Sequence, residues 1–234
     1  MFRFKQFDII HEKSAQKVTT DSVLLGAWTT CLYEPENILD IGAGTGLLSL
    51  MAAQKWPSSK ITAIEIEPIA LQECNLNFAN SIWAQRLVAV NADFLSWDTS
   101  SKFDIIICNP PYFTENVRAS DSTRDLARYS GNGLDIESLF RKGPELLTTC
   151  GSLAVVFPTS RKKEFDFLYN LSPFKSLRMC EVRTVENKQA KLVLAQVSMQ
   201  EGIDENDSLT IRNSRGEYTS EYLQLTEDFY LFNH

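Results

Sequence analysis

Asp40-Ile41-Gly42-Ala43-Gly44-Thr45-Gly46 stands between a short apolar run, Asn37 to Ile41, and a longer one, Leu47 to Trp56, that ends at Pro57. The first reads as a strand and the second as a helix. Glycines at alternate positions let the backbone turn sharply and let a ligand approach it, because no Cβ intervenes. The helix behind them offers unpaired N–H groups at its start. The spacing is G-x-G-x-G: Leu47 breaks the G-x-G-x-x-G pattern, and no Gly-Lys-Ser/Thr follows to cradle a triphosphate.

The same alternation continues outward from this turn. Ile61 to Ile66 reads as a strand and Pro68 to Asn80 as a helix opening on proline. Leu87 to Val90 and Phe103 to Cys108 read as strands, and Leu134 to Thr149 as a helix broken at Gly143-Pro144. Strand Ser152 to Phe157, helix Ser160 to Leu171, and strands Leu177 to Thr184 and Lys191 to Met199 complete the series. The short polar link Val185 to Ala190 makes the last two an antiparallel hairpin at a sheet edge. Strands alternating with helices predict an α/β fold: a mostly parallel, seven-stranded sheet with helices on both faces. Upstream, residues 2 to 10 alternate about Phe2, Phe4 and Phe7 as a short strand or extended arm, and Thr19 to Ser22 cap a short apolar helix. No repeat or linker interrupts the chain. One domain is expected over 1–234: an N-terminal arm and helix (1–34), a core (35–200) and a C-terminal extension (201–234).

Glu65 and Glu67 follow the second strand of the core. A carboxylate there can accept hydrogen bonds from both hydroxyls of a ribose. Together with the glycine turn it points to an adenosine-bearing cofactor at the switch point of an open α/β sheet.

Phe103 to Cys108 runs directly into Asn109-Pro110-Pro111-Tyr112. Two prolines stiffen the loop, and Pro110 keeps its carbonyl as an acceptor. With the side-chain carbonyl of Asn109 it can take both hydrogens of a planar amine, while Tyr112 offers a face for an aromatic base. This suits N-methylation of a conjugated amine. As its lone pair leaves the ring to attack, the nitrogen gains positive charge, and two fixed acceptors stabilise that charge.

Composition narrows the field. Of 234 residues, 44% are hydrophobic and 23% charged, which is ordinary globular composition. Two histidines, His11 and His234, leave little for a histidine triad or a histidine metal site, and no metal is expected. Five scattered cysteines without C-x-x-C fit a reducing compartment rather than a disulfide framework. The opening, MFRFKQFDII, has no apolar core or small-residue cleavage site, and no run is long enough to span a membrane. A cytoplasmic location is expected. The net charge of -7 argues against indiscriminate nucleic-acid coating. Yet Phe157 to Lys191 carries eight cations against four acids. A basic face on an acidic protein is one reading, and solvated surface charge is the other.

D-x-G-x-G-x-G resembles motif I of the class I S-adenosylmethionine-dependent methyltransferases, whose fold is Rossmann-like. The resemblance implies that Asp40, Gly42, Gly44 and Gly46 surround S-adenosylmethionine, with Glu65 on its ribose. Asp93, after the third strand, would take the adenine amine, with Phe94 against that ring. Asn109 to Tyr112 resembles motif IV of the amino-methyltransferases, which modify adenine N6, guanine N2 or protein glutamine N5. The glutamine-N5 enzymes carry an extra helical domain before motif I, and many guanine-N2 enzymes carry a further domain. Neither is visible here, and a protein glutamine-N5 or guanine-N2 RNA methyltransferase stays as the alternative reading.

Phe2 to Phe7, Lys17 to Trp28, Arg124 to Arg128 and Leu225 to Leu231 resemble the bacterial tRNA1(Val) (adenine(37)-N6)-methyltransferase family. Membership would imply a monomeric enzyme acting on an adenosine of the tRNA anticodon stem-loop, a base that is already unpaired and cheap to extrude. Asn109, Pro110 and Tyr112 would be catalytic, and Thr20 and Asp21 would flank the cofactor. Pro111, Arg124, Arg128, Lys5, Arg161, Lys162 and Lys163 are candidates for contact with the RNA. Thr19 and Ser22 stand where small, glycine-like residues are expected.

Overall fold

The computed structural model describes residues 1–14, 17–111 and 133–231. The chain opens with a two-stranded antiparallel arm, β1 (Phe2–Arg3) and β2 (Asp8–Ile9), followed by α1 (Thr20–Trp28). The core then runs β3 (Asn37–Ile41), α2 (Leu47–Lys55), β4 (Lys60–Glu65), α3 (Pro68–Asn80), β5 (Leu87–Asn91) and β6 (Phe103–Cys108). It continues with α4 (Ile136–Leu146), β7 (Leu147–Pro158), α5 (Lys162–Leu171), β8 (Ser176–Val185), β9 (Leu192–Ser198), β10 (Glu205–Arg212) and α6 (Ser220–Thr226).

Among the described residues the main sheet has eight strands in the order β10-β8-β9-β7-β6-β3-β4-β5. β5, β4, β3, β6 and β7 are mutually parallel, and β9 is antiparallel to both β7 and β8. Two expectations need correction. The expected seven strands are eight, because β10 pairs in parallel with β8 and takes the outer edge from the β8–β9 hairpin. Its first four residues are exposed and only Leu209 and Ile211 point into the core, so its sequence lacks the apolar run of an inner strand. The helix expected over Leu134 to Thr149 is shorter. It starts behind an Asp135–Ser138 capping box and stops at Leu146, two residues after Pro144. The residues from Leu147 onward join β7, where Gly151 lies so close to the Phe103 carbonyl that a Cβ would sit 2.8 Å from it.

Inner strands of this sheet are buried on both faces, which is why they read as unbroken apolar runs. Ile38, Ile61, Ile105 and Ile107 face a layer formed by the arm, α1, α2, α3 and α6. Leu39, Ile41, Ile64 and Ile106 face α4 and α5. The two chain ends share the first layer: Lys5 N–H donates to the Phe229 carbonyl at 2.9 Å, and the Phe4 ring stacks on Tyr230 at 5.8 Å. Among the described residues, no helix is long and apolar enough to cross a membrane.

Connections leave β3 toward β4 on one side and β6 lies on the other, so the strand order reverses between β3 and β6. Loops after the carboxyl ends of such strands diverge and leave a crevice. A clip on α3 sets the arm beside it. Glu73 accepts backbone N–H bonds from Glu12, Lys13 and Ser14 at 2.8, 2.7 and 3.0 Å. One turn later, Asn77 accepts from Ile10 N–H and donates to the Thr45 carbonyl within the glycine turn. Burial raises the Glu73 carboxyl, but the three N–H donors and the Ser14 side chain outweigh it and hold the group below its ordinary range. Glu73→Ala should therefore lower unfolding free energy by about 2 kcal/mol in urea titration. Amide exchange should accelerate at residues 12 to 14 ahead of the sheet.

Candidate active site

Asp40 is the penultimate residue of β3 and is 1% exposed. Its Oδ2 accepts from Ser49 N–H at 3.0 Å and Ser49 Oγ at 2.6 Å, a tie from β3 to α2. Its Oδ1 is buried and, among the described residues, has no hydrogen-bond partner. Burial pushes this carboxyl up to about 7; the two Ser49 bonds oppose the rise and the nearby Glu65 charge adds to it. A buried acceptor without a donor is costly in a folded chain unless a ligand completes it.

The glycine turn leaves β3 with φ of +67° at Gly42 and +83° at Gly46, a region that side chains strain to enter. A Cβ on Gly46 would also lie 2.6 Å from the Phe78 ring. Gly46 caps α2 without a side-chain bond, and Asp40 takes the N–H of the helix's third residue, Ser49. Gly44 N–H donates to Glu65 Oε2 at 2.8 Å, and Glu67 N–H donates to Glu65 Oε1 at 2.8 Å. Each Glu65 oxygen thus keeps a further lone-pair site. The neighbouring acid is committed elsewhere: Glu67 caps α3 by accepting from Ile69 N–H at 3.1 Å and Ala70 N–H at 2.6 Å.

Asp93 follows β5, is half-buried, and accepts from Leu95 N–H at 3.0 Å in a local turn. Phe94 differs from expectation. Its ring is only 4% exposed, inside the core layer with α4 and α5, and the Lys142 ammonium lies 5.3 Å from its centroid. It is a core ring rather than a face open to a ligand, because the chain after Asp93 turns inward.

Across the crevice, Ile41 pairs with Cys108, so Gly42 and Asn109 leave adjacent strands side by side. Asn109 is half-buried and Pro110 buried. Asn109 Nδ2 donates to Ser22 Oγ of α1 at 2.8 Å. Thr20 and Asp21 begin the same helix, and burial raises the Asp21 carboxyl against its own backbone N–H. The structure therefore gathers Asp40, the glycine turn, Glu65, Asn109, Pro110 and the start of α1 at one edge. Pro111 follows there, whereas Tyr112, Arg124 and Arg128 lie outside the described residues.

The basic candidates are arranged differently. Lys5 lines a groove of about 450 Å³ with Asn80 and Ser81 at the far end of α3, away from Glu65. Arg161 is paired with Glu164 at 2.5 Å and Lys162 with Asp166 at 2.9 Å, within their own helical segment; Lys163 is exposed. Lys162 also lines a groove of about 570 Å³ with Arg183 and Lys188 from the β8–β9 hairpin. That hairpin lies at the same sheet end as Asn109, since Leu192 pairs with Pro158 at the carboxyl end of β7. The charge count over Phe157 to Lys191 contained Arg183 and Lys188, but only the hairpin's place in the sheet brings them to this edge.

A carboxyl raised above its unfolded value holds its proton in the folded state. The Asp40 contribution is then fully present below about pH 4 and is lost as pH rises toward about 7. The ligand-free protein should lose melting temperature across that window relative to Asp40→Asn, whose carboxamide does not titrate. Parallel pH profiles of the two proteins would contradict the buried, proton-holding Asp40.

Residues 14–171 match the family model described as Methyltransferase small domain. The chain is 41% identical to the tRNA1(Val) (adenine(37)-N6)-methyltransferase of Flavobacterium psychrophilum, over 99% of each sequence. It is 38% identical to the protein of the same name from Vibrio campbellii, over 98% of this chain and 95% of the relative. In fold it is similar to a predicted O-methyltransferase from Agrobacterium tumefaciens, with a TM-score of 0.71 over 91% of this chain and 98% of that one, at 15% identity. An apolar parallel sheet, a glycine turn pinned by an acid and an Asn-Pro loop across the switch point thus coincide with relatives alike from end to end: the chain belongs to the tRNA1(Val) (adenine(37)-N6)-methyltransferase family.

Proposed function

We propose that this protein transfers a methyl group from S-adenosylmethionine to N6 of an adenosine in a tRNA anticodon loop, the counterpart of position 37 in tRNA1(Val). The observation that carries the reading is the placement of Asn109 and Pro110 beside the glycine turn, across the point where strand order reverses. The full-length likeness to relatives bearing that name supports it. We take 1–234 as one domain, because both ends of the described chain pack into the same core layer.

The residues present fit the cofactor. The unpartnered Asp40 Oδ1 suits an ammonium donor, Glu65 keeps acceptor sites for two ribose hydroxyls, and the glycines leave room against the backbone. Asp93 is the candidate acceptor for the adenine amine. S-adenosylmethionine, when bound, supplies an electrophilic methyl group. Asn109 Oδ1 and the Pro110 carbonyl then hold both hydrogens of the substrate amine. Charge develops on that nitrogen during attack, so the two acceptors bind the transition state more tightly than the ground state. The proline pair keeps them in place before the reaction begins. Tyr112 is the candidate to stack on the extruded base, and Arg124 and Arg128 are candidates for contact with the RNA. We place the phosphate path over Lys162, Lys163, Arg183 and Lys188 rather than Lys5.

The direct test is incubation with labelled S-adenosylmethionine and total tRNA from a strain lacking the protein, followed by nucleoside mass spectrometry. N6-methyladenosine in an anticodon loop is the expected product; guanine N2 or a protein glutamine as the acceptor would overturn the adenine assignment. Asn109→Ala should lower kcat by roughly 10²- to 10³-fold, with a smaller change in KM for tRNA. Charge reversal of Arg183 and Lys188 together should weaken tRNA binding and flatten its salt dependence, leaving cofactor affinity unchanged.

A further inference from the structure

We infer that Ser22 is a positioning residue for the transfer, fixing which end of the Asn109 carboxamide meets the substrate amine. The inference rests on the reading of Asn109 as an acceptor. A carboxamide has two nearly isosteric orientations, and only one of them presents oxygen to a given neighbour. With the other, Nδ2 would set N–H donors against the N–H donors of the amine. The Pro110 carbonyl is free of this ambiguity, so the side chain of Asn109 is the half of the clamp that needs a discriminator.

Ser22 has the geometry of one. Its Oγ receives Asn109 Nδ2–H at 2.8 Å, across 87 residues of sequence. The same Oγ lies 3.2 Å from Thr19 Oγ1, which already accepts the Ser22 backbone N–H at 3.3 Å. With the Ser22 proton directed to Thr19 Oγ1, its lone pairs are left facing Asn109. A group that accepts there selects the orientation with nitrogen toward α1 and oxygen toward the crevice. The support is rigid, because Val23 to Trp28 are all buried and Thr19 caps the helix. A glycine-like residue at position 22 would lack the hydroxyl, so this device belongs to a chain that carries serine there.

The helix cap does not depend on the Ser22 side chain, since Thr19 Oγ1 accepts from the backbone N–H of residue 22. Ser22→Ala should therefore fold with unchanged melting temperature. Its kcat for tRNA methylation should fall on the order of tenfold, because a carboxamide free to turn forfeits part of what complete removal of the acceptor costs. KM for tRNA and cofactor affinity should stay within about twofold, and Ser22→Thr should restore turnover by returning the hydroxyl. In an Asn109→Ala background, Ser22→Ala should have no further effect. Independently of activity, the Asn109 Nδ2 proton resonances in nitrogen-15 spectra of the ligand-free protein should shift in Ser22→Ala and return in Ser22→Thr. Unchanged kcat, an equal loss in the Asn109→Ala background, or unmoved Nδ2 resonances would each overturn the inference. A shifted resonance together with a methylated product other than N6-methyladenosine would instead leave the contact standing and sink the adenine reading.

Discussion

One carboxylate holds the cofactor edge in shape. Glu65, at the end of β4, takes the N–H of Gly44 from the turn that leaves the adjacent strand β3. A turn with glycines at positive φ has many alternatives in an unfolded chain, and this bond selects one of them. Glu65 is 8% exposed, so its charge sits in a poorly solvated place and depends on the N–H groups around it. Once the turn is set, the start of α2 faces the crevice and Asp40 is caught between β3 and Ser49 with one oxygen left over. The same acid that shapes the turn is left with further acceptor sites, and we propose that these take the ribose hydroxyls of the cofactor.

The second half of the site has a different logic. Asn109 and Pro110 need no partner from the glycine turn; the parallel pairing of β3 with β6 brings them alongside it. What they do require is orientation. The proline pair supplies it to the backbone, and α1 supplies it to the side chain through Ser22. Helix α1 is in turn fixed by its buried face, and the arm ahead of it is fastened to α3 by Glu73 and Asn77. The N-terminal residues thus act as a brace that joins both halves of the crevice from one side. On the other side, the β8–β9 hairpin carries cations to the same edge, where a polyanionic substrate would lie.

Much of this arrangement is legible in the amino-acid sequence. Inner strands betray themselves as apolar runs, and a glycine turn between strand and helix marks the binding edge. The failures have physical causes. β10 is an edge strand with four exposed residues at its start, so neither a continuous run nor clean alternation marks it. The α4–β7 boundary is blurred because Leu146-Leu147 suits either element, and Pro144 is tolerated in the last turn of the helix. Glu65 and Glu67 are indistinguishable by spacing; only their hydrogen bonds in the fold show that one caps a helix while the other faces the turn. The pairing of Arg161 and Lys162 is readable, since Glu164 and Asp166 follow at helical spacing. The Ser22–Asn109 contact is not, because nothing local relates residues so far apart.

We propose that Glu65 serves both the turn and the cofactor. Calorimetric titration of S-adenosylmethionine into the native protein and into Glu65→Ala measures this directly. Loss of a charged acceptor for ribose, together with release of the Gly44 N–H, predicts an affinity lower by roughly 10- to 100-fold. Equal affinities in the two proteins would contradict it.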